Sequence, residues 1–275
     1  MQRDLAGKRA ILTGASGGIG RAIAELLVKA GVRLAVASRN SDALNQLAES
    51  LRNAGGEVLV VPTDITKPDE RQRLVDTVVE KFGGLDLLVN NAGIGSHGHF
   101  ATSTPEIMRQ IMEVNFFGPI ELTRLAVPQL IKGVQPVVAN VTSMCGRKGM
   151  PAWPEYSASK FALVGMSEAW RGEFTRFGID VVTVVPGLTD SGFGGHLLRR
   201  DGKLEIPFGD GMKPADLAAG IVNAIRKNRR EVVFGGEAKR LLTFNRFFPR
   251  LTNWLIARKV KKLYAKERAA TEPRG

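Results

Sequence analysis

The chain has 275 residues, of which 44% are hydrophobic and 24% charged, as in an ordinary soluble globular protein. A single cysteine and three histidines exclude an internal disulfide, argue against a cysteine- or histidine-rich metal site, and favour a reducing compartment. We find no signal-peptide core and no run of the ~18 apolar residues that span a bilayer, so we expect a cytoplasmic protein whose membrane contact is confined to its surface.

The formal net charge of +12 is concentrated at the C-terminal end of the sequence. Residues 239–275 contain 11 Lys and Arg against two Glu, a net +9, whereas residues 1–238 carry 28 basic and 25 acidic residues, a net +3. We therefore divide the chain into a domain, 1–238, and a basic C-terminal extension, 239–275.

Short apolar runs alternate with longer amphipathic segments along the domain. The predicted strands are Arg9–Leu12, Arg33–Ala37, Glu57–Val61, Leu85–Val89, Pro136–Val141, Asp180–Val185 and Glu231–Phe234. The predicted helices include Ile19–Ala30, Ala43–Ala54, Asp69–Phe82, Glu106–Ile131 and Ser157–Phe177. Strands that are apolar throughout indicate a parallel sheet covered on both faces. The alternation predicts an α/β fold, a doubly wound parallel β-sheet (Rossmann fold) in a single domain, with a C-terminal helical extension.

A glycine-rich turn, Thr13–Gly20, joins the first strand to the first helix. Glycines allow a tight turn and close approach to a phosphate, and the helix N-terminus offers free N–H donors. This position favours dinucleotide binding over a merely flexible turn. Thr189–Gly211, with six glycines and little periodicity, is predicted to be a long mobile loop.

Tyr156 and Lys160 are four residues apart, which places them on the same face of a helical turn. A phenol with a pKa of about 10 is a poor acid or base at neutral pH, and a neighbouring cation lowers that pKa by stabilising the phenolate. The pair therefore indicates acid–base chemistry. The alternative is that Tyr156 is an ordinary core aromatic.

Motifs along residues 5–235 resemble, in order, those of the short-chain dehydrogenase/reductase family. They are the pattern Gly14-x3-Gly18-x-Gly20, Asn90-Asn91-Ala92-Gly93 after the fourth strand, Asn115, Ser143 placed 13 residues before Tyr156, and Pro186-Gly187-x-Thr189. The resemblance implies an oxidoreductase that interconverts a carbonyl and a secondary alcohol by hydride transfer with a nicotinamide cofactor. It also implies a homodimer or homotetramer.

The resemblance assigns roles to four side chains. Tyr156 gives a proton to the substrate oxygen or takes one from it, and Ser143 hydrogen-bonds that oxygen. Lys160 binds the nicotinamide ribose and, beside the oxidised ring, lowers the Tyr156 pKa. Asn115 holds a water that connects Lys160 to solvent, unless it is an ordinary polar helix residue.

The cofactor-binding set implied by the resemblance spans five loops. Its members are Gly14, Ser16, Gly18, Ile19, Gly20, Ser38, Arg39, Asp64, Ile65, Asn91, Ala92, Gly93, Tyr156, Lys160, Pro186, Gly187 and Thr189. An NAD-selective site needs a carboxylate after the second strand, where this chain has Ser38 and Arg39, so NADP(H) is favoured and NAD(H) stays possible. Arg39 as a surface residue, Asp64 as a helix cap and Thr189 as a local cap are the alternatives.

An apolar pocket for a hydrophobic ketone or alcohol is predicted near Tyr156. Its candidate wall consists of Met144, Gly146, Met150, Trp153 and Phe193. Arg147 and Lys148 could meet an anionic substrate, although adjacent charges are more often solvated. Cys145 is interpreted as a small packing residue.

The C-terminal extension carries an apolar stripe at helical spacing, Leu241, Phe244, Phe248, Leu251 and Leu255, and Pro249 is expected to divide it into two helices. Basic residues surround the stripe: Arg246, Arg250, Arg258, Lys259, Lys261 and Lys262. The stripe could pack on the domain or a second subunit, or bind an anionic membrane. Nucleic acid is disfavoured, because phosphate binding needs no apolar stripe. A non-catalytic NADP(H)-binding regulatory protein and a membrane-docked module remain the alternative functions.

Overall fold

A parallel seven-stranded sheet forms the centre of the molecule. The computed structural model describes residues 2–203 and 208–265, with only the backbone of Phe208. The strands in this part of the chain are β1 (Arg9–Thr13), β2 (Arg33–Ala37), β3 (Val58–Val60), β4 (Leu87–Asn90), β5 (Gly95–His97), β6 (Val137–Val141), β7 (Asp180–Pro186), β8 (Leu197–Arg200) and β9 (Glu231–Phe234). The central order is β3-β2-β1-β4-β6-β7-β9, so the winding reverses between β1 and β4. The predicted doubly wound fold is confirmed.

Helices cover both faces of the sheet. They are α1 (Gly18–Lys29), α2 (Ser41–Asn53), α3 (Pro68–Phe82), α4 (Pro105–Met112), α5 (Gly118–Leu130), α6 (Pro154–Glu173), α7 (Pro214–Arg226), α8 (Gly236–Phe247) and α9 (Pro249–Leu263). One buried core joins α1, α2 and α7 to the sheet, and a second joins α3, α5 and α6 to the opposite face. Within β1, Ala10 and Leu12 belong to the first core and Ile11 to the second, because successive side chains of a strand point to opposite faces.

A buried polar network aligns the middle of the sheet with the second helical layer. Asn90 Nδ2 donates to Thr123 Oγ1 at 3.0 Å and to Asn140 Oδ1 at 2.8 Å. Asn140 Nδ2 donates in turn to Ser167 Oγ at 2.8 Å. The network links β4 and β6 to α5 and α6, the helix that bears Tyr156.

Two predicted segments differ from the structure. The segment Glu106–Ile131 is not one regular helix, because a π-helical turn, Glu113–Phe117, separates α4 from α5. Within Thr189–Gly211, the described residues form a 3₁₀ turn, Phe193–His196, and the strand β8, which pairs with β5. β5 and β8 were not predicted, because strands of three and four residues show too little periodicity.

The C-terminal extension forms the two helices expected from Pro249, which is the first residue of α9. Its apolar stripe is mostly exposed: Phe248 is 55% and Leu255 is 45% exposed, whereas Leu241 is half-buried. Among the helices described here, none is long and apolar enough to cross a bilayer. Residues 266–275 of the predicted extension lie outside the described residues.

Candidate active site

A cavity of about 1050 Å³ opens at the carboxyl ends of the central strands. Every residue predicted to bind the cofactor lines it, as does Ser143. The cavity is continuous from the glycine-rich turn to Tyr156 and Lys160. Ligands of doubly wound sheets bind at this edge, where the strand order reverses.

The glycine-rich turn packs too tightly for side chains. Gly14 has a φ of +65°, and a Cβ there would lie 2.8 Å from Ala92 Cα. A Cβ on Gly20 would lie 2.0 Å from the carbonyl oxygen of Gly14. Asn91 holds the turn in place, since its Nδ2 donates to the carbonyl oxygens of Thr13 and Gly14 at 3.1 Å. The Asn91 side chain therefore shapes the turn, and its amide nitrogen is already engaged by the protein.

The N-terminus of α1 provides an anion site at the same turn. Gly17 caps this helix, and its first turn contains no acidic residue. Free N–H groups and the positive end of the helix dipole favour a phosphate group there. These features fit the diphosphate of a dinucleotide.

Ser38, Arg39 and Asp64 lie at the far end of the cavity. Ser38 Oγ is buried and has no hydrogen-bond partner within the described chain, whereas Arg39 is exposed. Asp64 Oδ1 accepts hydrogen bonds from Thr66 N at 3.0 Å and Thr66 Oγ1 at 2.8 Å. Burial raises the pKa of Asp64, but the bonds from Thr66 and the charges of Arg39 and Lys67 outweigh it and lower that pKa. Asp64 thus caps the turn that precedes α3 and not the helix itself, whose N-cap is Lys67, and it also borders the cavity.

The first turns of α6 bring Tyr156 and Lys160 to the cavity. Lys160 Nζ lies 5.8 Å from the centroid of the Tyr156 ring and donates to the carbonyl oxygen of Val141 at 3.1 Å. Burial lowers the pKa of Lys160 to about 8. Burial also raises the pKa of Tyr156, while a hydrogen bond with Ser143 acts in the opposite direction. The protein groups therefore shift the Tyr156 pKa upward, opposite to the lowering predicted from the lysine, and keep the phenol protonated at neutral pH.

Ser143 and not Thr142 faces the Tyr156 hydroxyl. Thr142 Oγ1 donates to the carbonyl oxygen of Val184 at 2.6 Å, so its proton is already used. Ser143 Oγ accepts from the backbone N–H of Cys145 at 3.1 Å, which orients the hydroxyl. Burial raises the pKa of the Cys145 thiol to about 11, so it stays protonated at neutral pH.

Asn115 is fully buried in the π-helical turn and does not line the cavity. Its Oδ1 accepts from Ile94 N at 2.9 Å, and its Nδ2 donates to the carbonyl oxygen of Ile94 at 2.9 Å and to Ser159 Oγ at 3.0 Å. A Cβ on Gly93 would lie 3.3 Å from Asn115 Oδ1 and 3.4 Å from Lys160 Nζ. The Asn115 side chain thus binds the backbone of Ile94 and holds the segment after β4 next to Lys160.

The remaining predicted cofactor contacts follow β7. Pro186 and Gly187 line the cavity, and Thr189 Oγ1 donates to the carbonyl oxygen of Gly187 at 3.2 Å. Thr189 therefore makes the local bond considered as its alternative role, while still bordering the cavity.

Aromatic rings frame Tyr156 on the substrate side. Its ring centroid lies 5.4 Å from that of Trp153 and 5.6 Å from that of Phe193. Met144 and Met150 complete the predicted apolar wall. Gly146 does not line the cavity: a Cβ there would lie 2.8 Å from the carbonyl oxygen of Lys160, so glycine allows close packing on α6.

The two adjacent cations of the predicted pocket point elsewhere. Arg147 pairs with Glu168 at 2.5 Å and also with Glu231. Lys148 Nζ donates to Asn253 of α9. Neither residue lines the cavity, so the suggested contact of this pair with an anionic substrate is wrong.

The family model for short chain dehydrogenases matches residues 8–201. The chain belongs to the short-chain dehydrogenase/reductase family. A relative in Bacillus subtilis, the uncharacterized oxidoreductase YxnA, is 31% identical over 250 residues, which cover 90% of this chain and 70% of the relative.

Solved structures of short-chain dehydrogenases and reductases share the fold. One, from Burkholderia phymatum in complex with NAD, has a TM-score of 0.83 and 25% identity and covers 90% of this chain and 96% of its own. A variant of the actinorhodin polyketide ketoreductase with NADPH has a TM-score of 0.76 and 27% identity, with coverage of 86% and 99%.

Three cavity residues of this short-chain dehydrogenase lie beyond the matched segment. Ile256, Lys259 and Val260 of α9 reach the same cavity as Tyr156. These residues were not predicted from the sequence, because the larger apolar side chains of the extension belong to the stripe at Phe248, Leu251 and Leu255. The i, i+3, i+4 spacing of the three residues was the available signal.

Proposed function

We propose that the protein is an NADP(H)-dependent oxidoreductase that interconverts a carbonyl compound and a secondary alcohol. The observation that carries this proposal is the continuous cavity, which has the glycine-rich turn at one end and Ser143, Tyr156 and Lys160 at the other. A dinucleotide bound along it would supply the hydride, and the protein supplies orientation and electrostatics.

Each residue of the chemical end has a distinct task in reduction. Tyr156, kept protonated by burial, gives its hydroxyl proton to the substrate oxygen. Ser143 hydrogen-bonds the same oxygen and stabilises the negative charge that develops there. Lys160 would hold the nicotinamide ribose, and Asn115 acts as a positioning residue through Ile94 and Ser159. The presence of Ser143 beside Tyr156 argues against a protein that only binds NADP(H) for regulation, because cofactor binding alone does not require the Ser143 hydroxyl.

The choice of NADP(H) rests on Ser38 and Arg39. Solved neighbours carry NAD in one case and NADPH in another, so the fold is compatible with both. The Ser38 hydroxyl has an unused hydrogen-bonding capacity within the described residues, and Arg39 adds a guanidinium suited to a 2′-phosphate. No carboxylate takes the place of either side chain to bind a ribose hydroxyl.

Initial rates with a panel of ketones and alcohols test this function. We expect ketone-dependent oxidation of NADPH with a KM about tenfold lower than that for NADH, a ratio typical of one charge-assisted contact. Arg39→Asp should reverse the preference through repulsion of the 2′-phosphate. Arg229→Asp makes the same charge change on an exposed residue outside the cavity and should leave the ratio unchanged. Absence of cofactor oxidation with every carbonyl would contradict the proposed activity.

We further propose that the protein is located in the cytoplasm and docks on anionic membranes through the outer face of its extension. Phe247 and Trp254 are 68% and 54% exposed. The guanidinium carbons of Arg246 and Arg258 lie 5.9 Å and 5.4 Å from the centroids of these rings. Apolar side chains surrounded by cations suit a lipid surface with anionic headgroups, and each cation near such a surface contributes about 1 kcal/mol.

Flotation with phosphatidylserine-containing vesicles measures this docking. The wild type should float, whereas Phe247→Ser with Trp254→Ser should remain in the lower fractions. Phe161→Ser, on the exposed face of α6, is the matched control and should float like the wild type. If the double variant instead dissociates a dimer in sedimentation while no form floats, a second copy covers this face and the membrane proposal is wrong.

A further inference from the structure

Helix α9 borders the cavity at the end that contains Tyr156, here called the substrate half. Ile256, Lys259 and Val260 line the cavity on one face of this helix. On the same face, Thr252 is 2% exposed, and its hydroxyl donates to the carbonyl oxygen of Phe248 at 2.9 Å. The helix thus has an inner face directed at the cavity, distinct from the outer face that carries Trp254.

Both ends of α9 are attached to segments that border the substrate half. Near its start, Asn253 accepts a hydrogen bond from Lys148. Beyond its end, the ring of Tyr264 lies 4.7 Å from that of His99, and its hydroxyl accepts from Lys203 N at 3.2 Å. The helix therefore spans the cavity between the residues that follow Ser143 and those that follow β5.

The cavity lining around Tyr156 is mainly apolar. Trp153 and Phe193 stand beside Tyr156, and Met150 and Leu198 also line this half. Together with Ile256 and Val260, these residues form an apolar lining, here called the channel, in the cavity that contains Tyr156. Such a channel favours a substrate with an extended apolar body.

Lys259 gives this channel a charge. Arg39 lies at the adenosine end, and Lys160 is buried beside Tyr156. Lys259 is exposed, and with His196 it supplies the other basic groups lining the cavity in the described part of the chain. Asp64, at the adenosine end, is the single carboxylate among the described lining residues. The substrate half thus combines an apolar interior with a cation at its rim and no described carboxylate.

We infer that the substrate is an amphipathic carbonyl compound whose anionic group pairs with Lys259 while its apolar chain occupies the channel. The inference rests on the proposed function, because it names the substrate class of that same site. Lys259 is a specificity-determining residue here, and α9 takes part in substrate binding. The anion is a carboxylate or a phosphate, which share this chemistry with the ammonium group.

Oxodecanoates with the carbonyl at different chain positions, each paired with its methyl ester, test the inference by initial rates with NADPH. For the wild type, the acids should have lower KM values than the esters at the preferred carbonyl position. Lys259→Ala should raise the KM of the acid about threefold to fivefold, the upper part of the range for an exposed ion pair, and leave the KM of the ester unchanged. Lys259→Glu should raise it further. A decyl phosphate inhibitor, compared with decanoate, distinguishes the two anions.

Lys262→Ala is the matched control, since it removes the same charge from α9 outside the cavity. It should leave both KM values unchanged. An equal rise in KM for the acid and the ester in Lys259→Ala would overturn the inference, because it would indicate that Lys259 has a structural role. Calorimetry of decanoate binding to the NADP⁺-loaded protein gives a second readout that does not require turnover. If decanoate binds wild type and Lys259→Ala equally, the inference fails, whereas absence of turnover with all carbonyls would contradict the proposed activity alone.

Discussion

Tyr156→Phe is expected to lower kcat for carbonyl reduction by about a hundredfold to ten-thousandfold, the contribution typical of a positioned general acid. The substitution removes the proton donor and keeps the ring that packs between Trp153 and Phe193. Lys160 keeps its bond to the carbonyl oxygen of Val141, so the ribose side of the cavity is retained. Stopped-flow hydride transfer and NADPH titration by fluorescence measure the two effects separately.

The chain contains one other tyrosine, which provides the control. Tyr264→Phe removes the same hydroxyl from a ring at the end of α9 and should change kcat only slightly. Unchanged turnover in Tyr156→Phe would contradict the proposed acid. If NADPH binding is lost together with turnover, Tyr156 holds the cofactor and its role as acid is not needed to explain the loss.

Gly14→Ala is expected to destabilise the fold and weaken NADPH binding more than tenfold. Two penalties combine at this position: a positive φ, which costs an L-residue about 1–2 kcal/mol, and a Cβ placed 2.8 Å from the backbone of Ala92. Relief of that contact requires the turn to move away from β4, and the diphosphate site moves with it. Urea unfolding gives the free energy of unfolding, and calorimetry gives the NADPH affinity.

Gly7 separates the two penalties. Its φ is +71°, and a Cβ there would meet no atom within 4 Å. Gly7→Ala should therefore lose about 1–2 kcal/mol from backbone conformation alone and keep its NADPH affinity. Equal destabilisation and equal affinity in both variants would mean that the turn accommodates the extra methyl group without displacement.

The central sheet could be predicted because its strands are apolar on both faces, a pattern that distinguishes buried parallel strands from amphipathic helices. The glycine-rich turn was predicted from its place between the first strand and the first helix, and the rest of the cofactor-binding set from the resemblance to the family; the structure brings all of these residues to one cavity. Ser143 was identified by its separation from Tyr156, and the structure explains the choice, since Thr142 is bonded to Val184.

Contacts between distant segments could not be predicted in the same way. The pairing of β5 with β8 depends on residues about a hundred positions apart, and neither strand shows periodicity alone. The inner face of α9 contributes two apolar residues to the cavity, Ile256 and Val260. The larger apolar side chains of this helix, such as Trp254, lie on its outer face and dominate the hydrophobic pattern of the sequence. The sign of the Tyr156 pKa shift depends on burial, which spacing to a lysine does not report.

Because of the π-helical turn at Glu113–Phe117, the number of residues between α4 and α5 determines which side chains face the cavity. A π-helical turn holds one residue more than an α-helical turn, so a one-residue deletion here would leave a regular α-helix, whereas a one-residue insertion would rotate α4 against α5 by about 100°. Gln110 on α4 lines the cavity, while Leu122 and Ala126 on α5 belong to the second core. After such a rotation, Gln110 could not face the cavity while Leu122 and Ala126 remain in the core. Related sequences should therefore tolerate substitutions, or the loss of one residue at this turn, far better than insertions, whereas the loops that follow the strands can vary in length.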